Sequence, residues 1–171
     1  TAADKHIGTK MKATGEVMSI GETFEAAFLK ALRSLELNAY SLRSPRLMAL
    51  SDEEVARMLR YQGDERIFFV FESIRRGVPL PEIYEATKID WWFLERMKVM
   101  CGMEAEIEKA GANGLTKELL LKAKIHGVSD VAIATLTGIT EAEVRLRRKA
   151  LGVTPNFKVV DTCPHSRGGL G

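Results

Sequence analysis

The chain has 171 residues, of which 46% are hydrophobic and 28% are charged, and its formal net charge is only +2. This near balance argues against a dedicated binder of nucleic acid or of an anionic membrane, where positive charge must displace counterions. No apolar run approaches the roughly 20 residues that cross a bilayer, and the first twelve residues are too polar for a signal peptide. We therefore expect a cytoplasmic protein, or a mitochondrial one if the source is eukaryotic, with neither nucleic acid nor membrane as partner.

The two ends differ from the middle of the chain. Residues 12–20 contain a glycine and alternating apolar residues, which is typical of a loop and a short strand. Residues 157–160 are predicted to be short and extended. The last six residues, 166–171, are small residues typical of a flexible tail. We expect them to belong to a vector or to the edge of an excised domain and leave them out of the predicted fold.

From Thr23 onward the pattern is helical. Thr23 is a predicted N-cap, and apolar residues follow it at spacings of three and four. A connection at residues 41–45 comes next, and Ser51 with Glu54 forms a predicted capping box. The apolar run 67–71 has the composition of a buried strand. Its helical spacing continues into Arg75, Arg76 and Gly77, a basic last turn followed by glycine, and this favours a helix.

Further helix starts are predicted near Pro81, at Asp90, Thr116 and Ser129, and at the capping box of Thr140. The predicted stops are Lys88, Gly111, Gly127, Gly138 and Gly152. The fold class is therefore mainly α, a compact bundle of about eight helices with short extended segments at both ends.

An internal repeat with an offset of 50 residues runs through the second half. Gly77-Val78 recurs as Gly127-Val128, and further residues match at the same offset: Ile83 with Ile133, Thr87 with Thr137, Ile89 with Ile139, and Leu94 with Val144. Each copy predicts a short helix, a tight turn and a second helix. Two such hairpins are expected to bury their apolar faces against each other.

The sequence has no recognisable set of catalytic or metal-binding residues. His6, His126 and His165 are far apart, and neither Cys101 nor Cys163 has a partner at metal-ligand spacing. Phosphate-binding glycine motifs and a nucleophile elbow are also missing. We expect no catalytic, cofactor or metal site in this chain, with His126 complementing the dipole of its helix.

One alternative is a DNA-binding helix-turn-helix at residues 129–152, whose last helix carries Arg145, Arg147, Arg148 and Lys149. Glu141 and Glu143 occupy the end of that helix that would meet the bases, where phosphates would repel them. The basic residues also spread around the helix at about 100° per residue. These points weigh against the alternative without removing it.

Aromatic residues mark two candidate interface segments. Trp91-Trp92-Phe93 opens a long predicted helix and is more typical of packing than of a base-binding platform. Because interfaces are built around aromatic anchors, we take Phe68, Phe69, Trp91 and Trp92 as candidates for contact with another protein.

Several segments together resemble the large subunit of carbamoyl phosphate synthetase. Residues 11–21, MKATGEVMSIG, resemble the signature that closes an ATP-grasp synthetase unit in that family, and residues 23–36 resemble the helix that follows it. Further similarity lies at residues 89–94 (IDWWFL), 127–130 (GVSD) and 160–163 (VDTC). The order and spacing of these segments make the resemblance specific over nearly the whole chain.

The resemblance implies three segments: 1–22 as the tail of the first, carboxyphosphate-forming ATP-grasp half, 23–157 as the helical oligomerisation domain, and 158–171 as linker and tail. The implied function is noncatalytic: the domain would connect the two synthetase halves and associate large subunits. The parent would be a ligase using two ATP with Mg or Mn, bicarbonate and ammonia supplied by a small glutaminase subunit, and would make carbamoyl phosphate for arginine and pyrimidine synthesis.

In that family the signature segment borders the passage through which the carbamate intermediate moves. The resemblance therefore places Glu16 and Met11 near the wall of such a passage, although Glu16 would be a solvated loop residue once the remainder is removed. Glu22 departs from the family, since many members have Arg there, and this leaves the contacts at the start of the first helix open.

Overall fold

The computed structural model describes residues 17–34, 42–63 and 65–154. These ranges contain nine α-helices and a short 3₁₀ turn at Ala112–Gly114, and no strand lies within them. The helices are α1 Phe24–Ser34, α2 Pro45–Met48, α3 Asp52–Leu59, α4 Arg66–Arg75, α5 Leu80–Thr87, α6 Trp91–Ala110, α7 Lys117–Ile125, α8 Asp130–Thr137 and α9 Glu141–Ala150. The mainly α prediction is confirmed.

The predicted extended ends are largely outside the described ranges. Val17–Ile20, the described part of the first such segment, carries no regular secondary structure. Residues 12–16 and 157–160 lie outside. None of the helices in the described ranges is both long enough and apolar enough to cross a membrane.

The helix starts follow from their capping residues. Thr23 Oγ1 accepts the Ala26 amide hydrogen at 3.1 Å, and the Asp90 carboxylate accepts that of Trp92 at 2.9 Å. Ser51 forms the predicted capping box at the start of α3, and Thr140 forms another at the start of α9. Each cap satisfies amide groups that a helix start otherwise leaves without partners.

Helix α2 was not predicted, because four residues give no measurable periodicity and Ser44 makes no side-chain cap. Contacts from the end of α4 hold it: the Arg76 guanidinium donates to Leu47 O in α2 and to Leu50 O just after it, both at 3.0 Å. Such a short helix depends on tertiary contacts.

The repeat is visible in the structure. Ile83 and Ile133 are fully buried, as are Leu94 and Val144. The turns between the first two helices of each copy match as well, since Gly77 and Gly127 have φ of +80° and +78°.

The structure extends the repeat by one helix. Helices α4 and α7 precede the matched turns at the same offset, and equivalent positions Val70 and Leu120 are both fully buried. The repeating unit is therefore three helices, α4–α5–α6 followed by α7–α8–α9.

Each copy is associated with its own hydrophobic cluster. The first cluster contains Phe71 and Ile83 together with residues of α1 to α3, and the second contains Leu120 and Ile133. Helix α6 links them, because Met97, Met100 and Cys101 belong to the first cluster and Met103 and Ile107 to the second. Leu29 of α1 contacts both. Helix α6, about 30 Å long at 1.5 Å per residue, thus spans the molecule.

Candidate docking surface

The first turn of α6 is held in place by the turn that precedes it. Lys88 adopts the left-handed conformation at φ 55°, and Thr87 Oγ1 donates to Ile83 O at 2.7 Å. Asp90 then caps the helix. The position of Trp91, Trp92 and Phe93 is therefore fixed by backbone geometry.

Five aromatic side chains from α1, α5 and the first turn of α6 form two groups of ring contacts: Phe24 with Trp92 and Phe93, and Tyr84 with Trp91. We call them the aromatic patch. Trp92 is 49% exposed, and Tyr84, Trp91 and Phe93 lie between 37% and 43%. Trp92 meets the Phe24 ring edge-on, with centroids 4.9 Å apart, and the Phe93 ring at 5.1 Å. Four large aromatic side chains are thus exposed together.

The patch is rigidly mounted on the core. Phe24 contacts Phe28 at 5.5 Å between ring centroids, and Phe28 contacts the fully buried Phe71 at 6.0 Å. On the other side of the patch, Trp91 contacts Tyr84 at 6.2 Å and donates from Nε1 to Glu95 at 3.1 Å. Edge-to-face packing of this kind orders aromatic rings beyond the effect of their burial.

The second copy of the repeat shows that the local fold does not require these aromatic residues. Positions 91, 92 and 93 correspond to Glu141, Ala142 and Glu143, which open α9 on the same kind of cap and are exposed. Exposed apolar patches on a folded protein mark sites of interaction. The aromatic patch is therefore the best candidate for a protein-docking surface in the described ranges.

The predicted interface residues lie in different environments. Phe69 is 3% exposed in the first cluster, and Phe68 is partly buried against it, so neither offers much surface to a partner. Trp91 and Trp92 are in the patch, and their role in an interface remains a prediction. The pattern did not single out Phe24, which counted only as part of an apolar stripe.

The predicted passage residues Glu16 and Met11 lie outside the described residues, as do His6, His165 and Cys163.

Two of the reactive side chains considered in the sequence, Cys101 and His126, lie in the described ranges. Burial raises the pKa of the Cys101 thiol to about 12, so the nucleophilic thiolate is scarce at neutral pH. His126 follows the last turn of α7, and its Nδ1 lies 4.0 Å from Glu25 Oε2. Within the described ranges, no group of three His, Cys, Asp or Glu side chains could hold a metal ion.

The three arginines of α9 make contacts within the chain. Arg148 is 7% exposed, binds Asp130 at 3.1 Å and donates to Val153 O at 2.8 Å. Arg147 donates to Ala112 O, and Arg145 pairs with Glu141 at 2.7 Å. Nothing in this arrangement supports the DNA-binding alternative.

Comparison with known proteins gives a consistent result. Residues 16–152 match the family described as carbamoyl-phosphate synthetase large chain, oligomerisation domain. The chain is 48% identical over 160 residues to the carbamoyl phosphate synthase large chain of Thermoanaerobacter sp. (strain X514). The aligned region covers 94% of this chain and 15% of that protein. It is 46% identical over 161 residues to the arginine-specific large chain of Bacillus subtilis (strain 168), covering 94% of this chain and 16% of the relative.

A third relative is shorter. The chain is 47% identical over 161 residues to the protein named carbamoyl phosphate synthase large chain, N-terminal section, of Aquifex aeolicus (strain VF5), covering 94% of this chain and 28% of the relative. The chain thus spans between 15% and 28% of the length of these relatives.

Proposed function

Because the chain belongs to the family of the carbamoyl-phosphate synthetase large chain oligomerisation domain, we propose that it associates large chains with one another and connects the parts of a longer enzyme. The aromatic patch carries this proposal. Its exposed rings have the size and rigidity of interface anchors, and the repeat-equivalent surface of α9 is charged.

We further propose that Trp91 and Trp92 meet a second copy of the chain. Phe24 supports the side of Trp92 from α1, and Tyr84 supports Trp91 from α5. Since each pair of rings comes from two different helices, the surface is already ordered before a partner arrives. Preordered side chains lose little conformational entropy on binding, which favours association.

The parent activity is part of the proposal. The longer protein would be an ATP-dependent ligase that makes carbamoyl phosphate, with Mg or Mn and with a small glutaminase subunit that supplies ammonia. Among the described residues, no group of three His, Cys, Asp or Glu side chains could hold a divalent metal. We therefore assign the bond-making steps to other parts of the parent and take this domain as noncatalytic.

The division of the chain follows the same proposal. Residues 1–22 would be the end of the first synthetase half, with Glu16 and Met11 beside a carbamate passage, and residues 158–171 would be linker and tail. A cytoplasmic location agrees with this assignment.

Tryptophan fluorescence tests the proposed interface, because the chain's two Trp residues both lie in the patch. Association through the patch would bury Trp91 and Trp92 and shift their emission to shorter wavelength as the protein concentration rises. The variants Trp91→Phe and Trp92→Phe assign the shift to one ring or the other. An emission maximum that stays constant while the chain self-associates would place the interface elsewhere.

A further inference from the structure

The segment Leu42–Leu50 contacts Arg75 and Arg76 at the end of α4 and Glu104 of α6, and we call it the strap. Its only regular element is α2, a helix of four residues without a side-chain cap. Such a helix cannot hold itself together in water. The contacts that keep the strap in place must therefore come from the helices beneath it.

The first of these contacts consists of hydrogen bonds to the backbone N–H and C=O groups of Leu42. Leu42 N donates to Glu104 Oε1 of α6 at 2.9 Å, and Leu42 O accepts from Arg75 Nη2 of α4 at 2.9 Å. Glu104 is 4% exposed, and Leu42 is 2% exposed. A buried carboxylate and a guanidinium thus provide hydrogen-bond partners for both backbone groups of Leu42.

The second contact is made by Arg76, the neighbour of Arg75. Its Nη2 donates to Leu47 O and Leu50 O, both at 3.0 Å. The same guanidinium binds Glu72 at 2.9 Å and Asp52 at 2.6 Å. One arginine therefore ties the far end of the strap to α4 and to the start of α3.

The contacts at Leu42 close a cavity of about 10 Å³, room for one water molecule. Leu42 and Glu104 line it together with Leu29, Met100 and His126. Met100 belongs to the first hydrophobic cluster, and Leu29 contacts both clusters. The strap therefore covers the place where the two halves of the core meet.

We propose that the strap is a releasable cover, held by the guanidinium groups of Arg75 and Arg76 and the carboxylate of Glu104, which opens over this cavity while α4 to α9 remain folded. The strap is also held by the ion pair of Arg43 with Glu108 of α6 and by the buried side chains of Leu42 and Leu47. Separate opening is supported by its own backbone hydrogen bonds, which are few and local: Leu47, Met48, Ala49 and Leu50 donate only to carbonyls between residues 44 and 47. Segments with so few backbone hydrogen bonds to their neighbours open without global unfolding.

Hydrogen exchange followed by mass spectrometry tests the proposal on the full chain. Glu104→Met removes the acceptor for Leu42 N and the charge beside Arg75 and keeps an apolar side chain of similar length. We expect exchange of the Leu47–Leu50 amides to accelerate roughly tenfold or more, as for loss of hydrogen bonds to a charged group, with exchange in α8 unchanged. The matched control is Glu106→Met on the same helix, which removes an exposed pair with Lys122 and leaves the strap untouched.

Two results would overturn the proposal. One is strap exchange in Glu104→Met no faster than in Glu106→Met. The other is acceleration of the strap and of α8 by the same factor, since that would mean opening only by global unfolding. If Glu104→Met does not fold, Arg76→Lys is the second test. A lysine cannot bind Leu47 O, Leu50 O and two carboxylates together, so the Leu47–Leu50 amides should exchange faster in this variant than in the wild type. Unchanged exchange would contradict the proposal.

Discussion

Gly127 lies directly against Ala26, so that a Cβ at Gly127 would be only 2.5 Å from the Ala26 Cα atom. Arg33 strengthens the same contact, since its Nη1 donates to Gly127 O at 3.1 Å. Helix α1 is therefore seated on the turn between α7 and α8, while its Phe24 and Phe28 rings pack toward the first cluster. The first helix thereby joins the two copies of the repeat.

The repeat supplies a matched pair of glycines to test this contact. Gly77 has the same positive φ as Gly127, but a Cβ at Gly77 would meet nothing within 4 Å. Gly77→Ala should cost only the backbone strain of a left-handed alanine, about 1–2 kcal/mol. Gly127→Ala should cost clearly more, because the backbone of α1 must also move. Urea unfolding followed by circular dichroism measures both, and equal losses would argue against a tight contact with α1.

Two equivalent isoleucines test whether each copy is a separate cooperative unit. Ile83 and Ile133 are both 0% exposed and lie in different clusters. Replacing either by Ala should cost about 2–5 kcal/mol, as for other buried large-to-small changes.

The readout separates the two copies because Trp91 and Trp92 both lie in the first one. Ile83→Ala should move the urea transition seen by tryptophan fluorescence to lower urea concentration. Ile133→Ala should lower the transition seen by circular dichroism at 222 nm, while the fluorescence change follows at higher urea. Fluorescence and dichroism transitions that coincide in both variants would mean that the copies unfold as one unit.

Local signals in the sequence were sufficient for most helix boundaries. The capping boxes at Ser51 and Thr140 were predicted from residues three apart, and the structure confirms both. The repeat was predicted from apolar residues and glycines at one offset. The first helix of each repeat copy was missed because α4 and α7 share few residue types. Their equivalent positions match in burial instead, as Ser73 and Ala123 do.

Long-range polar contacts could not be predicted. Glu25 falls in an apparently ordinary first turn, yet it is 4% exposed and pairs with Arg96, 71 residues away, at 3.4 Å. Arg148 was one of the four basic residues on which the DNA-binding alternative rested, and it is instead buried against Asp130. A charged residue has no periodic signature for burial, so its environment depends on a partner that only the fold brings close. Phe69 and Trp92 were not separated into core and surface because aromatic residues are common both in cores and at interfaces.

The two ion pairs that Asp130 makes, with Lys124 and with the buried Arg148, predict a loss of stability in acid. Burial acts to raise the pKa of Asp130, but hydrogen bonds and charges from Lys124 and Arg148 outweigh burial and hold the pKa below its usual 3.8. The unfolded chain therefore takes up the proton first. The stabilisation is complete above about pH 4 to 5 and is lost as the pH falls through the lower folded-state pKa.

Urea unfolding at a series of pH values from 7 to 2 checks this prediction. Asp130→Asn should be less stable than the wild type at neutral pH and should lose part of the acid dependence. Glu106→Gln removes an exposed ion pair with Lys122. It should leave the stability at neutral pH and its acid dependence nearly unchanged, because exposed ion pairs contribute little to stability. Equal acid dependence in wild type and Asp130→Asn would contradict the assignment.

The aromatic patch predicts which surface substitution disrupts self-association. Trp92→Glu places a charge at the most exposed ring of the patch and should weaken association at least tenfold, since an unpaired charge in an interface is costly. Leu146→Glu makes the same type of change at a side chain that is 67% exposed on α9, outside the patch, and should have little effect. Size-exclusion chromatography with light scattering compares the two. A larger effect at Leu146 would move the interface to the second copy.

Sedimentation equilibrium of the unmodified chain over a wide range of concentrations tests the central claim most directly. Association of large chains through this domain predicts a weight-average mass that rises from that of the 19.0 kDa monomer toward a defined multiple as the concentration increases. A mass that stays at the monomer value throughout would contradict the proposed role in oligomerisation.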